Sequence, residues 1–266
     1  MVVLATAQTS IVADIHQNGR TIRAQMVAAA RQGARLVHFP EAALSGYVIS
    51  EISDWADVDW RGLRSELDET ASLAKRLGIW VVVGSNHRLR GPCWPQNSLY
   101  VISDQGVLAG RYSKRLCSNT ELTYWYTPGA EPLAFDVDGV RFGCALCIEV
   151  VFPHLFAEYE RLGVTCMLLS SYSNDPVHGL MARAHAATTC MWVSVATPVA
   201  CQDFPAMLVG PDGGVSALCA AGRPDLVIQP VDPADKRYRR ALRVARPWRA
   251  EARSGRIYAG RYAGAG

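Results

Sequence analysis

Lysine is scarce in this chain. Only Lys75, Lys114 and Lys236 occur among 27 basic residues in 266, so arginine carries nearly all the positive charge. Charge of either sign is also sparse, at 19% of residues against 50% hydrophobic, which excludes a disordered polyelectrolyte. No long apolar run is present. The longest stretch without charge or histidine, residues 186–202, contains Thr, Ser, Gln and Pro and is too polar and too short to span a bilayer. Residues 1–13 lack the basic start of a secretory signal. Eight cysteines without such a signal read as reduced thiols in a cytoplasmic protein.

Low-complexity segments and internal repeats are missing as well, and no break in composition precedes Pro233. Residues 1–232 are therefore expected to form one domain. The segment 233–266 carries ten basic and two acidic residues, or +8, leaving −5 on the body behind a net charge of only +3. A run this basic suggests nucleic acid. Trp248, Ile257, Tyr258 and Tyr262 interrupt it, however, and favour docking on the acidic body or on a partner subunit within the same domain.

What is present alternates between strand and helix patterns. Short apolar runs at 2–7, 36–39, 79–83, 164–169, 192–196 and 226–231 read as strands. Stripes of three- and four-residue spacing read as helices, one through Ile22, Met26 and Ala30 with Gly33 as its C-cap, another from Leu63 to Leu77 before Gly78. Hairpins are expected around residues 104–106, at Asp138-Gly139 and at residues 211–214. Further helices are expected from Pro153 and over residues 177–191. Crossovers mixed with hairpins imply an α/β fold with mixed sheets.

Three reactive groups fall where strands end: Glu41 in Phe39-Pro40-Glu41, Lys114 in Ser113-Lys114-Arg115, and Cys147 in Cys144-Ala145-Leu146-Cys147-Ile148-Glu149. Singly each has an ordinary explanation, as a turn carboxylate, a solvated cation or a small core residue. Together they are a base, a cation and a nucleophile, the parts of covalent acyl transfer. The lone C-x-x-C, with no second pair and no close histidine spacing, argues poorly for metal or dithiol exchange. Cys144 is expected in the core. His178 and His185 read as surface or core residues rather than ligands.

In these segments the chain resembles the nitrilase superfamily of carbon–nitrogen hydrolases. The likeness covers Ala5-Thr6-Ala7-Gln8, residues 33–41 with Ser45-Gly46-Tyr47, Tyr112-Ser113-Lys114-Arg115-Leu116 with Glu121 and Thr127-Pro128-Gly129, Cys147-Ile148-Glu149 with Phe152-Pro153, and Pro211-Asp212-Gly213. It implies a four-layer α-β-β-α sandwich with two mixed β-sheets, no metal or organic cofactor, and a homodimer or larger assembly. It also implies roles: Glu41 as general base, Lys114 as stabiliser of the tetrahedral intermediate, Cys147 as nucleophile, and Glu121 orienting substrate and assisting proton transfer. The backbone N–H of Ile148 would complete the oxyanion site. Tyr47, Trp125 and Tyr172 are expected to line the acyl pocket. The implied activity is hydrolysis of a small amide, with nitrile or carbamoyl hydrolysis, acyl transfer, or a catalytically silent interaction protein as alternatives. Neither nucleic acid nor membrane is an expected partner. The chain departs from the family at Ile148, where Tyr or Trp is usual, and at Ala186-Ala187, where an acidic residue and an asparagine are usual.

Overall fold

The fold is described from a computed structural model over residues 1–261. Tyr262 of the basic segment lies outside the described residues. At the centre lies β1 (Val2–Thr9), an apolar strand buried along most of its length. It runs parallel to β2 (Leu36–His38), which pairs in parallel with β3 (Trp80–His87). The antiparallel strands β4 (Gln96–Ile102) and β5 (Leu108–Ser113) complete that side. A second set contains β6 (Ala134–Val137), β7 (Val140–Leu146), β8 (Cys166–Ser170), β9 (Trp192–Pro198), β10 (Met207–Val209) and β11 (Val215–Leu218). The last strand, β12 (Asp225–Val231), pairs antiparallel with β1. Backbone pairing joins the two sets through β1 and β9 at Gln8 with Thr197 and Thr9 with Pro198. The result is a mixed α/β fold with one large mixed sheet.

Local chemistry sets the ends of these elements. Asp14 caps α1 (Ile15–Arg31) by accepting from the His16 and Gln17 amides, and Asp59 caps α2 (Trp60–Leu77) by accepting from Gly62. Gly78 ends α2 in the left-handed region. Gln32, rather than Gly33, occupies the C-cap of α1; Gly33 is the left-handed residue after it, at φ 80°. Asp138 and Gly139 both have positive φ, as a type I′ turn requires. Pro153 begins α4 (Pro153–Arg161), and Pro176 begins α5 (Pro176–Thr189).

Alternation along the strands divides the core. Val2, Leu4, Leu36, Val82 and Leu99 pack with Phe142, Cys144, Leu168 and Trp192 in a single apolar cluster. The intervening Ala5, Ala7, Val37 and Val81 pack with Ile22, Met26 and Leu63 of the first two helices. On the other set, Ala145, Met167, Leu169 and Val193 pack with Phe156 of α4 and Ala182 of α5. Two residues on from the first cluster, where its apolar face ends, the buried side chains of the same strands turn polar: Thr6, His38, Ser170 and Ser194.

Those polar ends explain where hydropathy misjudges the elements. The strand expected over 79–83 runs on through Gly84, Ser85 and Asn86, which are buried despite their composition. The short helix α3 (Asn119–Tyr124) and the tail helix α6 (Arg246–Arg253) have no apolar stripe to announce them. Guanidinium groups fasten the tail: Arg246 donates to Val164 O at 2.6 Å, Arg249 binds the Ala187 carbonyl, and Arg253 pairs with Glu160. Tyr238 packs edge-on against Trp192 with centroids 5.5 Å apart. Backbone carbonyls thus take up part of the charge that the sequence suggests would meet acidic surface.

Candidate active site

Glu41 emerges from β2 under tight steric control. Phe39 N donates to Val82 O at 2.8 Å, which holds the exit against β3. A Cβ on Gly84 would lie 2.3 Å from Pro40 O and 2.5 Å from Ala42 N, so only glycine lets the Glu41 turn lie there. Ala42 then takes φ 56°, a left-handed conformation costing about 1–3 kcal/mol for a residue with a Cβ. The Glu41 carboxylate is fully buried. Its Oε1 accepts from Asn97 Nδ2 at 2.7 Å and Lys114 Nζ at 2.9 Å, and its Oε2 from Tyr172 N at 2.8 Å.

Lys114 follows β5, and its amide donates to Asn97 O at 2.8 Å. The side chain is only 1% exposed. Besides Glu41, its ammonium reaches Glu121 Oε1 at 2.7 Å. Glu121 is held by a capping box at the start of α3, where Ser118 N donates to Glu121 Oε2 and Glu121 N donates to Ser118 Oγ. Tyr47 OH donates to Glu121 Oε1 at 2.9 Å.

Cys147 begins a single 3₁₀ turn (Cys147–Val151) between β7 and α4, with φ 45° and 8% exposure. Glu149 braces that strained turn. Its buried carboxylate accepts from Leu146 N at 2.7 Å and from Tyr112 OH, and also from Arg115 N at 2.7 Å and Leu116 N at 3.1 Å. One side chain therefore ties the Cys147 turn to the lysine segment. His185 of α5 supports the far side: Nε2 meets Val150 O at 2.7 Å, and the ring stacks on Phe156 at 3.9 Å.

Electrostatics separates the two glutamates. Burial raises the proton affinity of Glu41, Lys114 opposes that and Glu121 adds to it, leaving Glu41 above the ordinary carboxylate value. Burial acts the same way on Glu121, but Lys114, Ser118 and Tyr47 outweigh it and hold Glu121 below. Burial also disfavours the Lys114 ammonium, yet Glu41, Cys147 and Glu121 keep it well above the usual lysine value. Two carboxyl groups with opposed shifts suit different roles, one to exchange a proton and one to remain an anion. Burial and then Glu41 push the Cys147 thiol up to about 12, against Lys114, the Ser171 hydroxyl and the Tyr172 amide, which favour the thiolate.

The residues expected from sequence divide as follows. Glu41, Lys114, Glu121 and Tyr47 share one hydrogen-bonded group, and Tyr172 joins it through its amide. The Tyr47 and Tyr172 rings stack at 4.8 Å, and Tyr172 OH donates to Glu51 Oε1 at 2.7 Å. Trp125 sits edge-on to Trp55 at 5.8 Å. Ile148 is second in the 3₁₀ turn, where the leading N–H groups have no acceptor within the turn. Cys144 is buried in the core, and all eight cysteines are free. Asn97, Glu149 and His185 were not anticipated as supports. The Ser118-x-x-Glu121 spacing is a capping-box signal that could have located Glu121 on a helix start. Among the described residues, no three His, Cys, Asp or Glu side chains are grouped to hold a metal, and no helix is long and apolar enough to cross a membrane.

The carbon-nitrogen hydrolase family model matches residues 3–240. The 2-oxoglutaramate amidase of Bacillus subtilis (strain 168) is 26% identical over 139 residues, which is 52% of each chain. The chain therefore spans about half the length of that relative. The deaminated glutathione amidase of Homo sapiens is 24% identical over 258 residues, covering 86% of this chain and 76% of the relative. Among solved structures, a mutant of the amidase from Nesterenkonia sp. AN1, showing Michael addition of acrylamide at the active site cysteine, superposes with a TM-score of 0.78. It is 22% identical and is covered completely, against 93% of this chain, which establishes likeness of fold.

Two outcomes follow from the geometry. Gly84→Ala is expected to lower kcat by about a hundredfold by displacing Glu41, as measured by steady-state kinetics on folded enzyme; unchanged kcat would mean that the Glu41 turn does not depend on that contact. The absorbance of wild type minus Cys147→Ala at 240 nm is expected to show no thiolate step below about pH 9. A step below neutral pH would show a preformed thiolate instead.

Proposed function

The chain belongs to the carbon–nitrogen hydrolase family, and on that premise we propose that Cys147, Glu41, Lys114 and Glu121 hydrolyse the carbon–nitrogen bond of a small amide. The observation that carries this reading is the buried Lys114 ammonium, bound to Glu41 at 2.9 Å and to Glu121 at 2.7 Å beside the Cys147 turn. With its thiol protonated at rest, Cys147 needs a base at the moment of attack. Glu41, whose proton affinity is raised, takes the thiol proton as Sγ bonds to the amide carbon. The resulting oxyanion meets the Lys114 ammonium and the Ile148 N–H. As the tetrahedral intermediate collapses, the carbon–nitrogen bond breaks, Glu41 returns the proton to nitrogen, and ammonia or amine departs, leaving a thioester. Glu41 then takes a proton from water, the hydroxide oxygen attacks the thioester carbon, and the carboxylic acid and the thiol are released. Glu121 stays ionised throughout and fixes the ammonium, while Tyr47 and Tyr172 wall the acyl site and Trp125 stands at its margin.

Amides are favoured because the 2-oxoglutaramate and deaminated glutathione relatives are amidases. Polar groups at the site, with the Tyr47 and Tyr172 hydroxyls both engaged by carboxylates, support a small uncharged acyl group.

The finer architecture belongs to the same proposal. The three side-chain clusters support four layers, α-β-β-α, with the two strand sets as facing sheets and the 233–261 portion as part of the one domain. Exposed Leu180 of α5 and Val244 and Trp248 of the tail support a homodimer or larger assembly. Eight free thiols support a cytoplasmic setting.

A panel of small amides, nitriles and carbamoyl compounds tests the function. Wild type is expected to release ammonia from amides, and Cys147→Ala is expected to release none; turnover surviving in Cys147→Ala would end the proposal. Release from nitriles alone would replace amidase by nitrilase. Lys114→Arg is expected to lose about a hundredfold or more in kcat, since a planar guanidinium cannot replace a compact ammonium between two buried carboxylates. A loss under threefold would remove Lys114 from its role.

A further inference from the structure

His38 is the last residue of β2, three positions before Glu41, and is completely buried. The first apolar cluster ends here: Leu36 packs in it, and His38 shares its face two residues on. Both ring nitrogens are engaged. Nδ1 lies 2.8 Å from Ser194 Oγ of β9, and Nε2 lies 2.8 Å from Ser170 Oγ of β8. Beyond them, Ser194 Oγ is 2.7 Å from Thr6 Oγ1 of β1, and Ser170 Oγ donates to Phe39 O at 2.8 Å.

Counting protons fixes the direction of the whole chain. A hydroxyl has one proton to give. Ser170 gives its proton to the Phe39 carbonyl, so it must accept from His38, and Nε2 carries the ring hydrogen. Nδ1 is then the acceptor and takes the Ser194 proton, and Thr6 donates to Ser194. With the ring neutral, the relay runs from Thr6 through Ser194, His38 and Ser170 to Phe39 O, and it closes only for the Nε2–H tautomer.

Both outlets of this relay lead to the site. Phe39 O belongs to the residue that leads into Pro40 and Glu41. Ser170 is followed by Ser171 and by Tyr172, whose amide donates to Glu41 Oε2 at 2.8 Å. Among the described residues, strand pairing between the two sets runs over two residue pairs of β1 and β9, continued by Val199 N donating to Thr9 O at 3.0 Å. We propose that His38 is a positioning residue for Glu41: its relay locks the exit of β2 to the exit of β8 and so fixes the carboxylate relative to Tyr172 and the Cys147 side of the site. This rests on the reading of Glu41 as the base. The neighbours that face His38 from β1, β8 and β9 are hydroxyls, and burial alone pushes its proton affinity down to about 3. The relay therefore stays in its one working tautomer across the neutral range.

The test uses methyl vinyl ketone, which has nearly the shape of a small unsaturated amide but no carbon–nitrogen bond to hydrolyse: Sγ bonds to the terminal carbon, and the thiol proton passes by way of the base to the carbon next to the carbonyl. The alkylation rate of Cys147 at pH 7 is followed by peptide mass in wild type, Glu41→Gln, His38→Leu, His38→Gln and Leu168→Ala. Glutamine offers an amide oxygen and nitrogen spaced much as the two ring nitrogens, whereas leucine keeps the bulk and breaks the relay. Leu168→Ala is a core lesion on the same strand face, two residues before Ser170. Alkylation is expected to slow about tenfold to a hundredfold in His38→Leu, to recover to within about threefold of wild type in His38→Gln, and to hold in folded Leu168→Ala. Equal rates in wild type and His38→Leu, or equal slowing in Leu168→Ala, would overturn the positioning role. If Glu41→Gln reacts as fast as wild type, the base assignment fails first and the relay loses its purpose. As a separate readout, ¹⁵N resonances of His38 are expected to show the Nε2–H tautomer unchanged from pH 5 to 8; a protonated ring or the other tautomer would contradict the relay.

Discussion

One ammonium between two buried carboxylates organises the molecule. Removing an ion from water costs several kcal/mol even after the surroundings relax, and losing one partner of a buried pair typically costs 3–5 kcal/mol. Lys114, Glu41 and Glu121 can therefore be buried only if all three arrive together, with their remaining lone pairs satisfied. Asn97, Tyr172 N, Ser118 N and Tyr47 OH meet that demand. The three charged groups come from the exit of β2, the exit of β5 and the start of α3, so correct pairing of distant segments is a condition for burying them at all.

The same ammonium gives the carboxylates different proton affinities. Glu121, which the Ser118 amide and the Tyr47 phenol also support, is held below its ordinary value; Glu41, more deeply buried and repelled by Glu121, is left above its own in spite of Lys114 and Asn97. On the proposed reading, a thiol that burial keeps protonated faces in Glu41 a base with raised affinity for its proton, a site quiet at rest and reactive only when an electrophilic carbon draws the electrons. Backbone strain at Ala42 and Cys147 fits that purpose, because the aim of each side chain is set by a turn that neighbouring contacts hold: Gly84 makes room for one, and Glu149 clamps the other.

Much of this was legible in the sequence for a physical reason. Reactive groups at strand ends stand out because an apolar run stops abruptly at them, as at Phe39-Pro40-Glu41 and before Cys147. The central strands and α2 were equally plain, since burial imposes their periods. The supports were harder to see. Asn97 lies inside a strand, and Glu149 is indistinguishable in sequence from a surface acid; both matter through partners far along the chain. His38 breaks an apolar run, which hydropathy treats as noise, although its two nitrogens join three strands. The tail helix was missed because its arginines bind carbonyls rather than present an apolar stripe.

The central claim is that Cys147 carries the acyl group while Glu41 manages its proton. The most direct measurement is the peptide-mapped mass of enzyme quenched in acid during turnover of a small amide. The expected result is an acyl increment on the peptide holding Cys147, present in wild type and missing in Cys147→Ala. An increment on the peptide of Cys117 or Cys201 in its place, or turnover with no covalent adduct even under rapid quenching, would contradict it.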